Sequence, residues 1–125
     1  IINIFNNDNE KFNYLISEDD INNARLLQNI LINNNINKNK IDIVFNGSDT
    51  IEKLQIKKYK YIFLDYYMPI KNGLEVIKFI NENNIDIKII IVSAKDNIKE
   101  ELKNFNIYSF IEKPYNIDDI SKLLK

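Results

Sequence analysis

Along most of the chain, short apolar runs alternate with stretches whose apolar residues recur at helical spacing. The segment Tyr14–Ser17 is a four-residue, strand-like run that ends in Glu18, Asp19 and Asp20. Ile21, Ala24, Leu27, Ile30 and Leu31 follow as an apolar stripe of helical period, with Asp20 placed to cap that helix. Residues 41–45 predict a second strand, closed by Asn46-Gly47-Ser48, where Asn46 and Gly47 read only as a turn. Ser48 or Asp49 is then the expected cap of a helix that turns Ile51 and Leu54 inward. Residues 61–64 predict a third strand that delivers Asp65 at its end. Pro69 and Asn72-Gly73 mark a turn, and Leu74, Ile77 and Ile80 the next helix. Residues 87–92 predict a fourth strand ending at Ser93, followed by a shorter helix with Ile98, Leu102 and Phe105 on one face. Residues 108–111 predict the fifth strand. Lys113-Pro114 follows it, and a last helix gathers Ile117, Ile120, Leu123 and Leu124.

Five strands, each followed by a helix, make a (βα)5 pattern. Continuous apolar strands fit a parallel sheet covered on both faces, so the pattern predicts a three-layer, doubly wound α/β domain over residues 14–125. Residues 1–13 are Asn-rich and read as a tail or linker stub; no repeat and no Pro- or Gly-rich linker divides the rest. A length of 125 residues suits one domain, and 45% hydrophobic with 28% charged residues suits a globular one. Seventeen basic against 18 acidic side chains leave no positive excess for nucleic acid or an anionic membrane surface. The longest apolar run, 87–92, contains Lys88 and is far too short to span a bilayer. The opening residues lack both an initiator Met, as a processed or excised chain does, and the layout of a secretory signal. A cytoplasmic setting is expected.

The chain has no histidine and no cysteine. That excludes imidazole and thiolate metal sites, Cys nucleophiles and His-dependent triads, leaving carboxylates, hydroxyls, lysines, backbone or a bound ion. In an open parallel sheet the site lies at the carboxyl ends of the strands. Strand 1 brings Glu18 and Asp19 there, strand 3 Asp65, strand 4 Ser93 and strand 5 Lys113. Any one of these has an ordinary structural explanation as a helix cap or a solvated charge. Their convergence on one rim is what points to chemistry. Clustered carboxylates raise one another's pKa unless a cation joins them, and with only oxygen ligands on offer Mg²⁺ is the natural ion. Lys113 adds a fixed positive charge, and the combination suits phosphoryl transfer.

The motifs at these strand ends are those of a known family. Tyr14-Leu15-Ile16-Ser17-Glu18-Asp19-Asp20, the run from Tyr61 through Asp65-Tyr66-Tyr67-Met68-Pro69, Asn72-Gly73-Leu74-Glu75, Ile91-Val92-Ser93-Ala94 and Ile111-Glu112-Lys113-Pro114 occur in order. Together they resemble the receiver domain of two-component response regulators, whose flavodoxin-like topology the (βα)5 pattern matches. The resemblance implies that Asp65 is the phosphoacceptor, attacking a phosphohistidine on a histidine kinase or histidine phosphotransfer protein. It implies that Asp19, Asp65 and the backbone carbonyl of Tyr67 bind Mg²⁺, with Glu18 holding a metal-bound water. Ser93 and Lys113 would contact phosphoryl oxygens, with backbone N–H groups near Tyr66 and Ala94 completing the cradle. Ser93 and Phe110 would form the switch that remodels the surface of helix 4, strand 5 and helix 5, a possible dimer face.

Some positions depart from the family pattern. Asn72 stands where Asp is common, and Asn106 replaces a usual Gly, where it is expected to adopt the left-handed region. The segment after Ser93 is short, so a truncated helix 4 is expected. Tyr67 and Lys95 flank the route of an attacking water, and the bulk of Tyr67 is expected to slow autodephosphorylation. Glu18-Asp19 with Asn23 is similar to receivers of hybrid histidine kinases, which an N-terminal tether also suits. Three other readings compete. A haloacid-dehalogenase-like phosphatase would carry a second Asp two residues after the nucleophile, where this chain has Tyr67. A flavodoxin-like cofactor carrier would need a Gly- or hydroxyl-rich phosphate loop after strand 1. A degenerate receiver, acting as a docking module without phosphorylation, would have lost the acceptor Asp or the Lys.

Overall fold

The computed structural model describes residues 12–94 and 98–124; the first eleven residues of the expected tail, and Lys95, lie outside them. The elements are β1 (Tyr14–Ser17), α1 (Ile21–Asn33), a 3₁₀ turn (Lys38–Lys40), β2 (Ile41–Val44), α2 (Gly47–Ile56) and β3 (Tyr61–Asp65). They continue as α3 (Gly73–Glu82), β4 (Lys88–Ser93), α4 (Ile98–Glu101), β5 (Ser109–Glu112) and α5 (Ile117–Leu123). All strand pairs are parallel, in the order β2-β1-β3-β4-β5. This is the doubly wound α/β sheet that the alternating pattern predicts.

Side-chain alternation divides the core between the two faces of the sheet. Leu15, Ile62, Leu64, Ile89 and Ile91 pack against Leu54 of α2, Val76, Ile77 and Ile80 of α3, and Ile98 of α4. On the other face Ile16, Phe63, Ile90 and Val92 meet Ala24, Leu27 and Leu31 of α1 and Ile120 of α5. Every residue of β3 is buried, which makes it the axis of both layers. Truncating Phe63, 1% exposed, to Ala would cost about 3–5 kcal/mol through lost burial and an incompletely filled cavity.

Local chemistry sets where the helices start. Asp20 caps α1 as expected, its Oδ1 accepting from the amides of Asn22 (2.8 Å) and Asn23 (3.2 Å). The cap of α2 is Asn46, not Ser48 or Asp49: the Asp49 amide donates to Asn46 Oδ1 at 2.8 Å. Asn46-Gly47 is therefore a helix start rather than only a turn. A Cβ on Gly47 would run into the backbone carbonyl of Lys71, so the first residue of α2 lies directly against the β3–α3 loop. Asn72 is extended (φ −81°) and closes a reciprocal capping box with Glu75.

Several expectations are corrected. The left-handed residues among those described are Asn35, Ile70 and Asn84, so Asn106 does not adopt that region. Ile21 and Ile117 leave their predicted apolar stripes; each is the first residue of its helix and is 47% and 59% exposed respectively. β2 ends one residue early, while β4 and β5 start and end one residue late, because ladder pairing rather than apolarity sets their limits. Among the described residues α4 is a single turn, as the short segment after Ser93 predicts.

Candidate functional site

Strand register brings the polar residues together. Ser17 pairs with Leu64, Asp65 with Val92, and Ser93 with Glu112. Glu18, Asp65, Ser93 and Lys113 therefore leave adjacent strands at nearly one level, at the carboxyl edge beside the β1/β3 switch point. The Lys113 amide donates to the Ser93 carbonyl at 2.9 Å, fixing the β5–α5 loop against the end of β4.

Glu18 and Asp65 are almost wholly buried, at 1% and 5% exposure, while Asp19 is exposed. One carboxylate oxygen from each of Glu18, Asp19 and Asp65 lies within 4.8 Å of the others. Lys113 Nζ spans the buried pair, 2.7 Å from Glu18 Oε1 and 3.2 Å from Asp65 Oδ2. Asp65 Oδ1 accepts from the Tyr67 amide at 3.2 Å. The Tyr66 amide instead donates to the Val92 carbonyl at 3.2 Å, so the backbone N–H turned to the carboxylate comes from Tyr67.

These contacts leave the acids electrostatically unbalanced. Burial, and then the neighbouring Glu18, push Asp65 up to about 8 despite the opposing charge of Lys113. Burial also works against ionised Glu18, but hydrogen bonds from Asp65 and Lys113 outweigh it and hold that carboxyl below its usual range. Burial opposes the Lys113 ammonium too, yet Glu18 and Asp65 hold its pKa above the ordinary value. A further cation at the three carboxylates would favour their ionised forms. The donor set is oxygen only, as a hard divalent ion such as Mg²⁺ requires.

Ser93 ends β4 at 4% exposure. It shares with Ile91, Ile98 and Phe110 the lining of a cavity of about 220 Å³ between β4, α4 and β5. Phe110 is half-buried, and the Lys99 ammonium lies 5.6 Å from its ring centroid. Tyr67 is 48% exposed and packs edge-on to Tyr66, with ring centroids 5.1 Å apart.

Three features escape the sequence pattern. The Tyr115 hydroxyl donates to Glu18 Oε1 at 3.0 Å. Its one sequence signal is a hydroxyl two residues beyond Lys113, in the loop that already supplies the lysine. Behind Glu18, Ser17 Oγ bonds to Thr50 Oγ1 and to Met68 Sδ (3.2 Å), tying β1 to α2 and to the loop after Asp65. The Tyr66 hydroxyl donates to Glu101 of α4 at 2.8 Å, linking the residue after Asp65 to that helix. Nothing in the local sequence announces the last two.

Fold and site together define a class of α/β domain with an acidic, lysine-bridged pocket at the carboxyl edge. Residues 14–125 match the model of the response regulator receiver domain, and the chain belongs to that family of two-component signalling domains. It is 32% identical over 108 residues to the response regulator ArlR of Staphylococcus aureus, covering 85% of this chain and 48% of ArlR. It is 31% identical over 118 residues to a protein-glutamate methylesterase/protein-glutamine glutaminase of Clostridium acetobutylicum, covering 91% of this chain and 34% of the relative. The chain thus spans half the length or less of these relatives. Among solved structures, the response regulator TrrA of Thermotoga maritima, in complex with Mg²⁺-BeF, superposes with a TM-score of 0.80 at 26% identity. That match covers 90% of this chain and 96% of TrrA. The receiver domain of the Pseudomonas aeruginosa sensor histidine kinase PA1611, with magnesium in its active-site cleft, shares the fold at a TM-score of 0.79 and 17% identity; 90% of this chain and 93% of that one are covered. Receiver domains accept phosphoryl groups from histidine kinases, and the acidic cluster resembles their Mg²⁺ site. Among the described residues no helix is long and apolar enough to cross a membrane.

Proposed function

We propose that this receiver takes a phosphoryl group from a phosphohistidine of a histidine kinase or histidine phosphotransfer protein onto Asp65. The observation that carries the reading is Lys113 Nζ bridging two buried carboxylates, with a third beside them. An Asp65 carboxylate oxygen attacks phosphorus, the P–N bond to the donor imidazole breaks, and the imidazole keeps the electron pair. Asp19, Asp65 and the Tyr67 carbonyl would hold Mg²⁺, with Glu18 behind a coordinated water; the ion supplies neutralisation of phosphoryl charge. Lys113 then pairs with one phosphoryl oxygen and Ser93 donates to another. The Tyr67 amide, already aimed at Asp65, supports the same oxyanion cradle.

The acceptor is a single-turnover catalyst of its own phosphorylation and of slow autodephosphorylation, not a free-standing enzyme. Tyr67, half-exposed beyond Asp65, screens the route of water. A shorter phosphoryl half-life in Tyr67→Asn is the expected result, and equal half-lives would discard that role. Ser93 and Phe110 share a cavity, which supports a switch that draws the aromatic inward on phosphorylation and alters the α4-β5-α5 surface, where a dimer could form. Apolar residues at the same edge, Ile21, Phe45, Ile70 and Ile117, favour a protein donor over a free small molecule. The receiver unit is residues 14–125, the preceding segment serves as a tether, and a hybrid kinase in the cytoplasm is a fitting context.

Intact-mass measurement after incubation with Mg²⁺ and acetyl phosphate tests the reading. One added phosphoryl group supports it. An unchanged mass would favour a docking module that works without phosphorylation.

A further inference from the structure

We propose that Tyr115 is a positioning residue that sets the affinity of the acidic pocket for its divalent cation, by fixing the carboxylate of Glu18. The inference rests on the reading of Glu18, Asp19 and Asp65 as a Mg²⁺ site and goes beyond it to a residue that holds no metal itself.

Glu18 is 1% exposed, so bulk water does not reach its carboxylate. Oε2 accepts from the Asp20 amide at 3.3 Å. Oε1 accepts two donors from the β5–α5 loop, Lys113 Nζ at 2.7 Å and the Tyr115 hydroxyl at 3.0 Å. The two act differently. Lys113 is shared with Asp65, 3.2 Å away, and is the group expected to turn to a phosphoryl oxygen. The Tyr115 hydroxyl has Glu18 as its partner and sits on a ring packed against the α1/α5 side of the core.

A fixed donor on Oε1 restricts the rotation of the Glu18 carboxylate, which lies beside those of Asp19 and Asp65. When Lys113 moves to a phosphoryl oxygen, Tyr115 keeps Glu18 in place. Hydrogen bonds behind a metal-site carboxylate orient it, and removing one typically weakens metal binding about 10- to 100-fold. The low end is expected here, because Glu18 faces the ion through a water.

The test is Mg²⁺ titration of the unphosphorylated full chain by isothermal calorimetry, wild type against Tyr115→Phe, with urea unfolding in Mg²⁺-free buffer to confirm that both are folded. The phenylalanine ring keeps the packing. A Kd for Mg²⁺ raised about tenfold in Tyr115→Phe is the expected result. Phosphorylation by acetyl phosphate should be slower at limiting Mg²⁺ and return to the wild-type rate at saturating Mg²⁺, a rescue that a general packing defect would not show. Equal Mg²⁺ affinities would overturn the role of Tyr115 and leave the site standing. Failure of the wild type to bind Mg²⁺ would overturn the site and the inference together.

Discussion

The two edges of the sheet handle charge in opposite ways. At the amino edge, lysines are set over neutral rings. Lys60 Nζ lies 4.5 Å from the Phe12 ring centroid and 5.5 Å from that of Tyr61; Lys88 Nζ lies 5.5 Å from Tyr61 and 4.8 Å from Tyr108. Nearby, Asp42 Oδ2 accepts from Lys57 at 2.8 Å and from the Tyr59 hydroxyl at 2.6 Å. These charges are met by rings, by a carboxylate or by a hydroxyl. At the carboxyl edge, Glu18 and Asp65 are buried beside Asp19 with only Lys113 between them. One edge meets these charges with rings or an opposite charge, whereas the other gathers three carboxylates around one lysine. The difference separates charges paired within the fold from a carboxylate cluster that resembles a receiver Mg²⁺ site.

Breaking the lysine bridge should have the largest effect. Lys113→Ala leaves two buried carboxylates without their cation, at a cost of roughly 3 kcal/mol, the low end for unpartnering a buried ion pair. Urea unfolding in Mg²⁺-free buffer should show that loss, and added Mg²⁺ should restore much of it. The variant should still accept a phosphoryl group but signal poorly. Equal midpoints with and without Mg²⁺ would show that the edge needs no second cation.

At the amino edge the effects should be smaller and indifferent to Mg²⁺. Asp42→Asn should cost about 1 kcal/mol at pH 7, discounted because Lys57 is over one-third exposed. Burial raises the Asp42 pKa, but hydrogen bonds from Lys57 and Tyr59 outweigh it and hold the folded value below the ordinary one. Its stabilisation is therefore present above the unfolded pKa, about 4, and lost as pH falls through the folded value. Stability curves of wild type and Asp42→Asn should converge on acidification; a constant gap would remove Asp42 from the acid limb. Lys60→Gln should cost only about 0.5 to 1 kcal/mol, the worth of half-buried cation–π contacts, with the same Mg²⁺ response as wild type. A changed Mg²⁺ response would show that the edges are coupled.

The alternating pattern made the fold legible because each strand is short, apolar and followed by a helix-period stripe. The same pattern exposed Glu18, Asp65, Ser93 and Lys113, since polar residues that end buried strands stand out. What stayed hidden depends on tertiary geometry. Tyr115 falls outside the strand and helix pattern, and only the β5–α5 loop brings its hydroxyl to Glu18, 97 positions away along the chain. Asn46 reads as turn punctuation until its side chain is seen capping α2. Ile21 and Ile117 satisfy helical spacing yet face solvent, because a first-turn position belongs to the rim of the sheet rather than to its covered face. Ile70, a β-branched residue at φ 61° in the loop beyond Asp65, has no sequence signal at all.

The most direct test of the central claim is peptide mapping of the product formed with acetyl phosphate and Mg²⁺. The account predicts one acyl phosphate, located on Asp65, absent when Mg²⁺ is chelated and absent in Asp65→Asn. A phosphoryl group that maps elsewhere, or that persists in Asp65→Asn, would contradict it.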